Sequence, residues 1–405
     1  MRAARHIRHR RRHGLSTALA TTGVLTAALL ATALLATSAS SPAALTQTTT
    51  TRLTAPGSGI SGGVRQAAAP GWRVVTTIGP DNQGVTGTLT AHSAAEAWSV
   101  WTGTSFTAVE RLTASGWAPV TVPAKFSAYV RSAVAFDGDS AKDFWLFSSV
   151  HPAQALRFTG AGWTLAAIPS WVLRKPAGGT LSASAAVFGP GNAWVFSLGA
   201  GAYAAHYNGH AWAKVRLPAA PDDVSAVAAN DIWALAGSTA LHWNGRTWAA
   251  IEVPVAGKKP AETFSDLAAT GPKSAWLLRT IGANRPGTDA AVLHWNGTRW
   301  QRVAGTPADI VDSMVPDGSG GLWAAALDIT PGGFNFLYHL TGGHWTEVNP
   351  PAGVWNQGSE SLTWIPGTRS LWGTAAGLPN KGNDGVLTKY GPLSGPARSE
   401  AEDLV

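Results

Sequence analysis

From about residue 72 onward the chain repeats one pattern of apolar and polar positions every 40 to 50 residues. Each copy reads as an apolar strand, a polar turn, a Trp-centred strand, and two further short strands around a small turn, closed by a second Trp and a Pro. The clearest copy is VSAVAANDIWALAGSTALHWNGRTWAAIEVP at 224–254. Its neighbours keep the same marks in LRFTGAGW (156–163), AHYNGHAW (205–212), LHWNGTRW (293–300) and YHLTGGHW (338–345). The first Trp series runs Trp98, Trp145, Trp194, Trp233, Trp276, Trp323 and Trp372, at spacings of 39 to 49 residues, and so marks seven units. The second series, Trp117, Trp163, Trp212, Trp248, Trp300 and Trp345, is one short, because the seventh unit stops at VLTKYGP (386–392). GWRVVTTIGP at 71–80 is similar to the outer strands GWAPVTVP (116–123) and TRWQRVAGTP (298–307), so Trp72 supplies the missing member.

Units of four short strands, the last completed from the N-terminal side, predict an all-β fold: a seven-bladed β-propeller closed by an N-terminal outer strand. Main-chain hydrogen bonds at that junction leave the ring without an open seam. Fourteen of the twenty Trp occupy the two repeated positions. Each ring there can fill the wedge between adjacent blades, contributing several kcal/mol at roughly 25 cal/mol per Å² of buried apolar surface.

The segments before and after the repeat change the picture in a different way. Residues 1–14, MRAARHIRHRRRHG, are strongly cationic, and 15–39 form an uncharged apolar stretch ending in small residues. That sequence predicts a signal peptide, or a signal anchor if the segment is retained, and a secreted or extracellular body that touches a membrane only in the second case. Residues 40–70 are rich in Thr, Ser, Gly and Ala and read as a disordered linker, 71–392 as the propeller and 393–405 as a C-terminal tail. The net charge of +7 is largely local: the first 40 residues hold six Arg and no acid, leaving 24 basic against 23 acidic residues. A nearly neutral body supplies no stripe for phosphates, so nucleic acid is not an expected partner. Cysteine is absent, which removes disulfides, thiolate metal sites and thiol nucleophiles.

The pattern DIWALAGS…LHWNGRTWAAIEVP resembles the kelch repeat of galactose-oxidase-like propellers, with the Gly pair reduced to Gly237 here and to Gly199 in LGAG at 198–201. It is also similar to Trp-rich repeat propellers of secreted actinobacterial proteins. The resemblance implies a fold rather than an activity, since such folds host unrelated functions. Galactose oxidase itself uses a Tyr crosslinked to Cys, and without Cys that chemistry is excluded here. No HExxH, GxSxG or P-loop pattern occurs, and no cofactor is expected.

Two clusters invite a metal reading. Asp137, Asp139 and Asp143 in DGDSAKD could offer oxygens to Ca²⁺, but they fall where every unit has a polar hairpin turn, and the hairpin is the expected role. His206, His242, His294 and His339 fall at one repeat position, with Arg111, Arg157 and Lys389 in the other blades. Residues so arranged lie around a ring, too far apart to share an ion at about 2.1 Å.

What breaks the repeat is more informative. The longest irregular segments are 169–180, 254–264, 279–290, 327–336, 350–360 and 377–385, all expected on one face. They carry Trp171 and Trp355, outside the ladder, with Arg174, Arg285, Asp289, Asp328, Asn335, Asn356 and Asp384. Aromatic faces beside amide, carboxylate and guanidinium groups suit a saccharide in a bowl over the central axis; the same Trp could instead plug the tunnel. The expected function is a non-catalytic, monomeric binding module for a glycan or a protein. The alternative is a carbohydrate-active hydrolase or lyase, which needs two acids among Asp289, Asp328, Glu360 and Asp384 roughly 5 to 9.5 Å apart.

Overall fold

A computed structural model describes residues 71–79, 85–257, 262–281, 290–307, 310–327, 335–348, 361–378 and 382–391. They form seven antiparallel four-stranded sheets. Blade 1 comprises Thr86–Ala91, Ala97–Thr102, Thr107–Thr113 and Gly116–Pro119, and blade 2 Ala133–Ser140, Asp143–Ser148, Gln154–Phe158 and Trp163–Ala167. Blade 3 comprises Ala183–Val187, Ala193–Ser197, Tyr203–Tyr207 and Trp212–Arg216, and blade 4 Asp223–Ala228, Asp231–Ala236, Thr239–Trp243 and Trp248–Glu252. Blade 5 holds Glu262–Gly271, Ser274–Ile281, Ala291–Trp295 and Trp300–Ala304; blade 6 holds Ile310–Pro316, Leu322–Leu327, Asn335–Thr341 and His344–Val348. Blade 7 takes Ser361–Trp364, Leu371–Leu378 and Gly382–Gly391 from the end of the repeat and Gly71–Ile78 from its beginning. The closing register pairs Trp72 with Tyr390 and Ile78 with Gly385, as the sequence pattern predicts.

Second strands are buried on both faces, which is why they read as continuous apolar runs: Asp143–Ser148 and Ala193–Ser197 are buried at every residue. Fourth strands lie at the perimeter, and Trp212–Arg216 and Trp248–Glu252 are half-buried or exposed throughout. Between blades, the inner-series Trp of one meets the outer-series Trp of the next. Trp145 and Trp212 meet edge to face at 5.9 Å, Trp323 and Trp72 at 5.8 Å, and Trp372 and Trp117 at 5.3 Å. Trp194 with Trp248 and Trp233 with Trp300 repeat the geometry at 6.4 Å. Trp98 with Trp163, and Trp276 with Trp345, share the remaining two inter-blade cores.

The innermost strands face a packing problem of their own, because each has an edge with no partner strand. Side chains of the preceding blade satisfy part of that edge. The Asp137 carboxylate accepts from the Val187 N–H at 2.7 Å, Asp223 from Leu267 at 2.8 Å, and the Ser225 and Ser313 hydroxyls from Ala269 and Leu362 at 3.0 and 3.2 Å. Across the closure, the Thr363 hydroxyl of blade 7 donates to the Leu89 carbonyl of blade 1 at 3.1 Å.

Candidate functional site

Most polar groups singled out in the sequence belong to the scaffold. His206, His242, His294 and His339 each stack on the inner Trp of their own blade, at 3.9 to 4.3 Å. Arg157, Lys389 and Arg111 occupy the same position over Trp145, Trp372 and Trp98, at 4.5, 4.6 and 5.9 Å. These groups are tethered from the second strand or its turn: His242 by Asp231 at 2.8 Å, Arg157 by Asp143 at 2.8 Å, His339 by Asp317 at 3.0 Å. Burial lowers the pKa of His206 and His294, so both rings favour the neutral form.

The three Asp of DGDSAKD are likewise drawn apart. Asp137 turns to His92 of blade 1, with 2.9 and 3.0 Å contacts, and to Val187 of blade 3. Asp143 holds Arg157 and the Trp145 indole N–H. Asp139 stays between them, its pKa raised by burial and by the charge of Asp143. Among the described residues no group of three His, Asp or Glu is placed to hold a metal ion.

Of the irregular segments, 169–180 is described throughout and connects blades 2 and 3; 350–360 lies outside the described residues, and 254–264, 279–290, 327–336 and 377–385 lie partly outside them. Arg285, Asp289, Asp328, Trp355, Asn356 and Glu360 lie outside the described residues. Asn335 begins the third strand of blade 6 and Asp384 lies in that of blade 7, their backbones alone being described.

Trp171 and Arg174 are therefore where the site can be built. The segment from blade 2 to blade 3 is nailed down by Val172 and Leu173, which are buried in the inter-blade core. The Ser197 hydroxyl ties it further, donating to the Val172 carbonyl at 2.9 Å and accepting from the Arg174 N–H at 3.0 Å. With 172 and 173 inside, Trp171 is left half-buried and Arg174 and Lys175 exposed. Trp171 packs against that core and on blade 3: its ring meets Tyr203 of the third strand at 6.2 Å and 66°, and its carbonyl accepts the Tyr203 hydroxyl at 2.9 Å. Lys214 of the fourth strand places its ammonium 4.2 Å from the Tyr203 ring and 5.2 Å from Trp171.

Strand register completes the cluster. Tyr203 lies opposite Arg216 and Ala205 opposite Lys214, and opposed residues share a sheet face. That face is turned to blade 2, since Ala205 is buried against Trp145. Sequence reasoning missed Tyr203, Lys214 and Arg216, although the signal was present. In the fourth strands, WAKVR of blade 3 stands against WTLAA of blade 2, WAAIE of blade 4 and WQRVA of blade 5, so Arg216 breaks the repeat while Lys214 has a cationic counterpart in Arg302. An open groove of about 500 Å³ between blades 1 and 2 is lined by ladder and turn residues including Arg111 and Trp163.

The fold defines a seven-bladed β-propeller. No protein-family model and no curated protein matches the chain. Solved structures do. One is YCF48 bound to a D1 peptide, with a TM-score of 0.50 and 13% identity, covering 79% of this chain and 96% of that one. A chain of the complex of BBS1N with ARL6DN gives 0.47 and 11%, covering 81% and 97%. The Aleuria aurantia lectin with Fucα1-6GlcNAc gives 0.40 and 11%, covering 68% and 100%. At these identities the likeness is one of fold.

Proposed function

We propose that this protein is a non-catalytic binding module that works outside the cytoplasm and recognises a glycan or a protein through the irregular face. The observation that carries the reading is the seam of Trp171, Tyr203 and Lys214, where residues that packing alone does not demand in other blades converge on one spot. Repeated blades are nearly interchangeable, so a requirement of the scaffold recurs, whereas a requirement of a ligand need not. The repeat itself reads as kelch-like, supported by the left-handed Gly199 and Gly237, φ 65° and 58°, that turn the chain after the Trp-centred strand. Export rests on the cationic and apolar N-terminal segments, and the intact mass of the secreted protein distinguishes cleavage from anchoring.

The test is an array of glycans and peptides probed with the full chain and with Trp171→Ala. Losing one aromatic contact is expected to weaken a hit by about 1 kcal/mol or more, roughly fivefold, with only a small fall in melting temperature. Trp233→Ala serves as the contrast, with an expected loss of about 3 to 5 kcal/mol of stability, because Trp233 is fully buried. Hits whose affinity ignores Trp171→Ala, or a Trp171 variant as unstable as Trp233→Ala, would sink the reading.

A further inference from the structure

The polar chemistry of the blade 2–3 seam is one-sided. Arg174, Lys175, Lys214 and Arg216 are all exposed, and none makes an ion pair or a side-chain hydrogen bond among the described residues. The Tyr203 hydroxyl spends its hydrogen on the Trp171 carbonyl, which leaves its oxygen as an acceptor beside these four donors. The next acids along the chain are committed elsewhere: Asp222 to the Gly237 N–H at 2.7 Å, Asp223 to Val224 and Leu267 at 2.7 and 2.8 Å. A neutral saccharide needs acceptors as well as donors for its hydroxyls. Four unpaired cations outweigh the one tyrosine oxygen and suit an anion, and the planar guanidinium of Arg matches a carboxylate in two parallel hydrogen bonds.

Shape narrows the class further. The two rings stand at 66° with centroids 6.2 Å apart, a corner the size of one flat ring rather than of an extended chain. Tyr203 belongs to an interior strand of its sheet, whereas Lys214 and Arg216 lie on the outer edge strand, so an acidic peptide is the competing occupant that the test must separate. Along the fourth strand, Lys214 and Arg216 are two residues apart on one face, roughly 6.6 Å at the usual rise. The Lys214 ammonium already lies against both rings, so a carboxylate that reaches it brings the body of its ligand onto Trp171. From these features we infer that the seam binds a carboxylate-bearing saccharide, of the uronic acid class. Trp171 receives the apolar face of the sugar ring, and Lys214 and Arg216 receive its carboxylate. This rests on the binding-module reading and specifies its ligand.

The test is calorimetric titration of the full chain with a galacturonic acid trisaccharide, its methyl ester and an oligo-glutamate peptide of equal charge. The acid trisaccharide is expected to bind, and the ester to bind at least about tenfold more weakly, because the carboxylate charge is gone. Lys214→Gln, Arg216→Gln and Trp171→Ala should each lower the affinity about threefold or more, the two cation variants at nearly unchanged melting temperature and Trp171→Ala with a fall far smaller than that of Trp233→Ala. Arg302→Gln, which alters the position equivalent to Lys214 in blade 5, should leave it unchanged. Equal binding of acid and ester overturns the inference and leaves the binding-module reading standing. So does binding of the peptide with the same affinity, or acid binding that ignores Trp171→Ala, either of which makes the seam a plain cationic surface. Failure of the trisaccharide to bind at millimolar concentration also overturns it, and the parent reading is then judged by the array alone.

Discussion

At the residue scale, one Trp position explains much of the composition. Trp233 is fully buried, with the His242 ring stacked 4.3 Å away on one side and Trp300 meeting it at 6.4 Å from the next blade. The recurring His, Arg or Lys is thus a lid on the ladder. His92 differs from these: it lies in the turn between the first two strands of blade 1 and reaches Asp137 of blade 2. Burial alone would lower its pKa, but the charge of Asp137 and its hydrogen bond win, and the pKa is raised above the ordinary value. A base whose folded pKa exceeds its unfolded pKa of about 6.5 adds stability fully below that pH and loses it as pH rises through the folded value. The gap in unfolding midpoint between the wild type and His92→Gln should therefore be widest near pH 5.5 and shrink towards pH 8.5. A gap that does not vary with pH would show that the ion pair is not the source. His206 and His294 act with the opposite sign, their stabilisation being complete above about pH 6.5 and lost on acidification.

At the element scale, a blade is stable only between neighbours. Its second strand has apolar residues on both faces and reaches water on neither, while its first strand leaves an edge at the hub. That edge is closed by side chains rather than by another strand. Asp223 carries the point, because its carboxylate joins the first strand of blade 4 to the N–H of Leu267 in blade 5 at 2.8 Å. Burial raises its pKa against the two backbone N–H bonds that lower it, so the hydrogen bonds operate against a desolvation cost. Removing the acceptor in Asp223→Ala leaves the Val224 and Leu267 N–H groups without it, for an expected loss of at least about 1 to 3 kcal/mol. Chemical denaturation of the variant measures it, together with faster amide exchange at Leu267. Unchanged exchange there would mean that the bond does not hold the edge.

At the scale of the whole molecule, closure is the decisive event. Seven sheets stacked in sequence end in two exposed flanks, and the ring joins them by giving blade 7 a strand from each end of the repeat. Gly71–Ile78 supplies main-chain pairing over its length and also carries Trp72 into the core with Trp323 and Tyr390. Deleting 71–78 should lower the melting temperature far more than deleting 50–57, because it opens a strand edge and uncovers an inter-blade core at once. Equal melting temperatures for the two deletions would refute closure as the source of stability. Placement at the blade 2–3 seam also gives a nearly neutral body a local cationic field of four side chains, a matter of arrangement that net charge does not report.

The sequence by itself determined the number of blades, the closing strand and the scaffold role of the His series. Each is a consequence of periodicity: a Trp every 39 to 49 residues can be counted, and a missing seventh outer strand can be matched to GWRVVTTIGP. It also separated Trp171 and Arg174 from the ladder, because they do not recur. What only the tertiary structure decided is where those residues point and what they meet. Trp171 and Tyr203 are 32 residues apart, and Lys214 lies further still along the chain, so no local pattern ties them. Their meeting depends on Val172 and Leu173 entering the core between two blades and on the register that sets Tyr203 opposite Arg216. A repeat fixes how blades stack, since every copy solves the same packing problem. Long-range register and the anchoring of a single irregular segment fix where a unique surface forms, and both are properties of the closed ring.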